Sequence, residues 1–481
     1  KPFGPSSAKI LLLADARSEL PDVWTFAMAE SVLSPRFESD KEDAPSDKKE
    51  RKLVMDGLKA AGTWDAGGVD VDKRMLDGRR ANRGFTMSVG SRTEAPDISE
   101  MRSGKRAQTL PASSTRRGDA TLGAEALAKL EGLQKTLKAR FRRGSATVVF
   151  TIIPDEALLD VFKNQVKGHQ HGVMTEGQAH GDERERVSYG TVPLDPPPII
   201  ACQKGSKGLR DTTPNQDNFS LTYFNNGYTL ACAFDGHGPF GHIVSTRTVQ
   251  TVPYFMLTEG GFDGDVDEAA IEAALIMAFE KSQKDVVAHS LENGWDVQAS
   301  GSTAVAALWR GNKVWTANCG DSRCAIGTEN ERKVVFETED HKPTTEGEKK
   351  RIEACGGEVR SQTYPDGWVN HRIFIKGEDY PGLCMARTLG DQSVKDFGVI
   401  ATPEVKSTTV DFAQMPFFIL ASDGVWEFLD SPFVIKAVAK KIQSDGPAKT
   451  LEKLQREAKK RWKQEEGDYC DDITSILVQL R

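Results

Sequence analysis

At 481 residues, with 38% hydrophobic and 28% charged side chains, the chain has room for two or three average domains, or for one large domain with extensions. A net charge of −7 excludes a global attraction to nucleic acid or to an anionic membrane surface. No stretch approaches the ~20 apolar residues that a transmembrane helix needs.

The first part of the chain, residues 1–185, reads as a low-complexity, partly disordered regulatory extension. Glu38–Arg51 is a run of charges around Pro45, and Gly78–Arg117 is rich in Arg, Gly, Ser and Pro, compositions that bury too little apolar surface to order themselves. Within it, Leu127, Leu130, Leu133 and Leu137 recur at helical spacing across Ala124–Phe141, and a basic run comes after them. Ala146–Ile153 reads as a single buried strand. The extension is expected to bind a partner or to regulate the remainder of the chain. Because the sequence does not begin with Met, the natural terminus is expected upstream.

From about Ser188 the pattern changes, after which Pro193–Pro198 forms a stiff entry. Apolar, β-rich runs recur between glycine-containing turns: Phe219–Phe224, Tyr228–Phe234, Ala304–Trp309, Val314–Asn318, Phe417–Ala421 and Ile473–Leu480. Helices are expected over Glu268–Leu291, over Thr344–Ala354 between Pro343 and Gly356-Gly357, after an N-cap at Ser431, and across Leu451–Trp462. The mixture predicts an α+β domain spanning residues 186–481, with sheets packed together and helices outside. All seven cysteines (Cys202, Cys232, Cys319, Cys324, Cys355, Cys384 and Cys470) lie in this part. Their odd number and the lack of any CxxC pair argue against a disulfide framework or a zinc site, and favour a reducing compartment, cytoplasmic or nuclear.

Carboxylates gather at the ends of the most apolar runs. Tyr228–Phe234 leads into Asp235-Gly236-His237-Gly238, Val314–Cys319 into Gly320-Asp321, and Phe417–Ala421 into Ser422-Asp423-Gly424. Asp217 precedes one strand, and Asp471-Asp472 precede the last. One Asp-Gly is an ordinary turn. Five acidic strand ends are not, because two like charges roughly 4 Å apart cost about 4 kcal/mol at an effective dielectric near 20. Such a cluster persists when a cation or protonation neutralises it. Oxygen ligands without Cys or His partners suit Mg²⁺ or Mn²⁺. Two such ions would activate a bridging water for in-line attack at phosphorus.

At these residues the sequence resembles the type 2C metal-dependent Ser/Thr protein phosphatases, the PPM family, in a protist- or plant-like variant. The resemblance runs in order through KGLRDTTPNQD (Lys207–Asp217), AFDGHG (Ala233–Gly238), GSTAVAAL (Gly301–Leu308), NCGDSRCAIG (Asn318–Gly327), DHKPTTEGEKKRI (Asp340–Ile352), GLCMARTLGD (Gly382–Asp391), LASDGVWEFL (Leu420–Leu429) and CDDITSILV (Cys470–Val478). It implies a two-layer antiparallel β-sandwich flanked by helices, hydrolysing phosphoserine and phosphothreonine in proteins with two Mg²⁺ or Mn²⁺ ions. It further implies that Asp235 bridges the metals, that the Gly236 carbonyl ligates one of them, and that Asp423 and Asp471 ligate the other. Asp217 and Gln216 would hold metal-bound waters, and Asp321 and Glu427 would support a weaker third ion. Arg210 would grip the substrate phosphate, with Lys207 as runner-up, and His237 would protonate the leaving alkoxide. Gln216 stands where Glu is common, Glu427 where Asp is usual and Asp472 where Asn is usual. Asp391, Ser302 and Thr303 read as loop-shaping residues, and Arg360–Pro381 as the variable flap beside the cleft. The alternative reading is a pseudophosphatase, a module that binds a phosphoprotein without turnover.

Overall fold

The computed structural model describes residues 152–175, 177–191, 193–208, 211–363 and 369–481. The helix expected over Ala124–Phe141 and most of the strand expected over Ala146–Ile153 lie outside the described residues. Ile152 and Ile153 are in no strand.

Two antiparallel sheets form the body. The first has seven strands, in the order Glu404–Thr409, Lys313–Cys319, Ala304–Arg310, Thr229–Phe234, Asn218–Tyr223, Gly168–Gly172 and Arg186–Gly190. The second has five, in the order Val334–Glu337, Arg323–Thr328, Pro416–Ala421, Ile473–Gln479 and Ile199–Gln203. Their facing side chains make one core: Phe219, Leu221, Ala231 and Val305 from the first sheet meet Ile326, Phe418, Leu420, Ile476 and Val478 from the second. The inner strands are buried on both faces because each sheet also carries helices outside, which is why their sequences read as continuous apolar runs rather than alternating ones. Gly241–Thr258 and Glu268–Asn293 cover the first sheet through Leu230, Val249, Phe255 and Phe279. Ser431–Asp445 and Pro447–Glu466 cover the second through Ile419, Val438, Leu454 and Trp462. The expected antiparallel sandwich with flanking helices is therefore the observed fold.

The differences are local. Asp430, not Ser431, caps the Ser431–Asp445 helix, its carboxylate accepting from Phe433 N at 2.9 Å; Ser431 is the first helical residue, ahead of Pro432. The flap is a separate hairpin, Gly357–Thr363 paired with Val369–Ile375, to which Pro381–Leu383 adds a third strand.

A larger difference concerns residues 155–185, which the sequence pattern assigns to the extension. Asp155–Asn164 is a helix that buries Leu158, Val161 and Phe162 in the first core, and Gly168–Gly172 and Arg186–Gly190 are strands of the seven-stranded sheet. Their signal is weak because GHQHG contains no aliphatic residue. What holds it is polar: His169 Nδ1 meets Thr222 Oγ1 at 2.8 Å, Nε2 meets His171 Nδ1 at 2.9 Å, and the His169 ring stacks 3.7 Å from that of Phe162. Arg247 pins the start of the helix. It bonds both carboxylate oxygens of buried Asp285 (2.6 and 2.9 Å), the Ile153 carbonyl (2.6 Å) and Asp155 (2.8 Å). Such a pair is costly to break because one charge would be left buried alone.

Candidate metal centre

Strand register explains why the acidic residues meet. Asn218 pairs with Phe234, so Asp217 and Asp235 lie side by side at one end of the first sheet. Ala233 pairs with Val305 and Ala304 with Cys319, which brings Asp321 to the same end. In the second sheet Ala421 pairs with Ser475, placing Asp423 beside Asp471 and Asp472. The sandwich brings the two sets together around a cavity of about 630 Å³, lined by Asp235, Asp321, Asp423, Glu427 and Asp471 together with Gly236, Gln216 and His237.

The carboxylates repel one another. Burial, then the charges of Asp423, Asp217, Asp471 and Asp321, push the Asp235 carboxyl well above the ordinary range. Burial, then Asp471, Asp321 and Glu427, do the same to Asp423. Asp217 is fully buried behind the cavity wall and is also raised, by burial and by Asp472; its Oδ2 accepts from Ser422 Oγ at 2.6 Å. Asp471 goes the other way. Burial acts upward on it, but Lys207, whose Nζ lies 3.2 Å from its Oδ1, holds it below the usual value. Lys342 Nζ sits 2.6 Å from Asp321 Oδ2. Among the described residues no three His, Cys, Asp or Glu side chains close on a common point. The donor set nonetheless suits hard divalent cations: carboxylates in excess of positive charge, with Asp235 and Asp423 raised by burial and then by their carboxylate neighbours.

Gln216 is committed at both ends. Its Nε2 donates to the Gly238 carbonyl at 2.6 Å, and its Oε1 accepts from Lys207 Nζ at 3.1 Å, so the amide ties loops together beside the cavity. Glycine is required at 236, where a Cβ would lie 2.5 Å from the Gln216 carbonyl and 2.6 Å from that of Gly241. Arg210 lies outside the described residues.

Several participants are unread or misread in the sequence. Asp391, which the sequence presents as a turn former, bonds His237: Nε2–H donates to Asp391 Oδ2 at 2.7 Å. Gly301 makes room for this pair, since a Cβ there would stand 2.1 Å from Asp391 Oδ2 and 2.7 Å from His237 Nε2. Thr303 accepts from Asp235 N through its hydroxyl (3.2 Å) and donates its own N–H to the Asp235 carbonyl (2.9 Å). Asp472 accepts from Gly205 N (2.7 Å) and Gln216 N (2.8 Å). The one sequence signal for Asp391 is its place at the end of GLCMARTLGD.

The family model described as Protein phosphatase 2C matches residues 199–466, more than half of the chain. Probable protein phosphatase 2C 61 of Arabidopsis thaliana is 34% identical over 289 residues, covering 58% of this chain and 83% of that protein. Probable protein phosphatase 2C 64 of Oryza sativa subsp. japonica is 34% identical over 288 residues, but the match spans 65% of its length, just under two thirds. Among solved structures, the serine-threonine phosphatase 2C from Toxoplasma gondii superposes with a TM-score of 0.49 at 20% identity, over 65% of this chain and 99% of that one. With carboxylates from both layers of an antiparallel sandwich meeting at one end, and the family model matched across both layers, the chain belongs to the protein phosphatase 2C family.

Proposed function

We propose that the protein is a metal-dependent phosphatase acting on phosphoserine and phosphothreonine in proteins, with the cavity as its active site. The observation that carries the reading is the meeting of Asp217, Asp235, Asp321, Asp423 and Asp471 from two sheets, with the basic Lys207 on the wall. Asp235 and the Gly236 carbonyl would hold one Mg²⁺ or Mn²⁺, with Asp235 shared by a second that Asp423 and Asp471 complete. Asp321 and Glu427 would take a weaker third. When bound, the cations supply a water activated for in-line attack and neutralise charge at phosphorus.

The chain's own groups do the rest. With cations held there, Asp471 and Asp321 would serve them in place of Lys207 and Lys342, and Lys207 would be available to the substrate phosphate, with Arg210 the other candidate for that role. His237 would donate a proton to the leaving serine or threonine oxygen. Asp391 occupies Nε2, leaving Nδ1, which has no hydrogen-bond partner, as the atom that carries the transferred proton. The hairpin residues Val369–Arg372 form the outer wall, where the peptide flanking the phosphate would lie. We assign residues 1–151 a regulatory or partner-binding role, and the presence of all the acidic residues favours turnover over a binding-only module.

Turnover of a phosphopeptide with and without Mn²⁺ is the test. Activity that needs no metal, or that survives Asp235→Ala, overturns the mechanism.

A further inference from the structure

The loop carrying Gln216 and Asp217 has no regular secondary structure, yet three successive peptide groups in it are pinned. Gln216 N donates to Asp472 Oδ2 (2.8 Å), and the Gln216 carbonyl accepts from Gly236 N (3.1 Å). The carbonyls on either side, Asn215 and Asp217, both accept from one atom, Arg184 Nη1, at 2.8 and 2.5 Å. Carbonyls two residues apart in extended chain point the same way, so a single NH₂ group with two hydrogens can serve both. Arg184 Nη2 completes the fork on Thr246 Oγ1 at 3.1 Å.

Arg184 lies before the stretch matched to the family, which begins at residue 199. It sits where the chain crosses between the layers. Glu183 and Arg184 pair with Gln203 and Cys202 on the edge of the five-stranded sheet, and Arg186–Gly190 pairs in the seven-stranded one. Arg184 is 2% exposed, and among the described residues no carboxylate oxygen lies within 4 Å of its guanidinium. A buried charge that forgoes an ion pair to bond two carbonyls is expensive if fold stability is its only return. Gly172 is shaped around it, since a Cβ there would lie 2.7 Å from Arg184 Cδ.

From this we infer that Arg184 is a positioning residue, which holds the Asn215–Asp217 loop so that Asp217 and Gly236 stand in register with Asp235 for metal binding. The inference rests on the metal reading proposed above. The planar fork matters more than the charge, because an ammonium cannot serve both carbonyls and Thr246 in the same geometry.

The test is calorimetric titration of Mn²⁺ into the full chain, comparing wild type with Arg184→Lys, and with Thr246→Val, which keeps Arg184 but removes one of its acceptors. Thermal melting of the metal-free proteins runs in parallel. Arg184→Lys keeps the charge, so a positioning role raises the Mn²⁺ dissociation constant about tenfold or more, as loss of groups that orient metal ligands does elsewhere. Thr246→Val shifts it in the same direction by a smaller factor, and this variant decides the matter should Arg184→Lys not fold. A lower melting temperature with the dissociation constant unchanged within twofold makes Arg184 merely structural and overturns the inference. Wild type that binds no Mn²⁺ overturns the metal reading beneath it, so the two failures are distinguishable.

Discussion

Replacing Asp235 by Asn should make the metal-free protein more stable while removing its response to metal. Asp235 lines the cavity, and burial with four neighbouring carboxylates raises its carboxyl well above the ordinary value. The raised folded value means that this group's stabilising contribution is complete below the unfolded value, about 3.9, and is lost as pH rises. At pH 7 the penalty cannot exceed the cost of simply protonating the group, (7 − 3.9) × 1.36, or about 4 kcal/mol. Because the side chain is only partly buried, solvent screening brings the figure toward about 1–4 kcal/mol. At about 2 °C per kcal/mol for a domain of this size, Asp235→Asn melts roughly 2–8 °C above wild type without metal at pH 7, and the gap narrows toward pH 4. Wild type gains about 2.7 kcal/mol from Mn²⁺ at a hundred times its dissociation constant, and the variant loses most of that gain. Calorimetric melting at several pH values, with chelator and with Mn²⁺, reads both effects. A variant that melts below wild type in chelator and keeps its full Mn²⁺ increment would refute the account of the acidic cluster.

Lys207→Met removes the ammonium on Asp471 and should raise KM for a phosphopeptide about tenfold, the worth of one charged contact, while Mn²⁺ affinity by calorimetry does not fall. Asp391→Asn leaves His237 without its oriented partner, so kcat on a phosphoserine peptide should drop by roughly 10²-fold, with a much smaller loss on p-nitrophenyl phosphate, whose leaving group needs no proton. Burial pushes His171 down to about 4 and holds His169 well below the ordinary value. The unfolded chain therefore takes up protons first as pH falls below about 6.5. The stability these rings contribute is present above that pH and lost toward pH 4, about 3 kcal/mol for His171, so urea midpoints should fall across that window and less steeply in His171→Gln.

The sequence by itself determined the inner strands, because a strand buried on both faces reads as an unbroken apolar run, and each such run is a strand within a residue or two; the two-layer sandwich followed from the family resemblance. It determined the acidic residues as well, since Asp235, Asp321 and Asp423 closely trail such runs and Asp217 and Asp471 closely precede them. Tertiary structure decided what those residues meet. Register brings Asp217 beside Asp235 in one sheet and Asp423 beside Asp471 in the other, and the packing of the two sheets brings the pairs together, which no local pattern encodes. It decided that Asp391 reaches His237 across 154 positions, and that Gln216 spends its amide on Gly238 and Lys207. It decided the place of residues 155–185, whose strand GHQHG is held by histidine contacts rather than aliphatic burial and so carries no periodicity to read. Arg184 belongs to the same class: one of two arginines in the charged run Asp182–Arg186, distinguished by the two carbonyls that the fold aims at it.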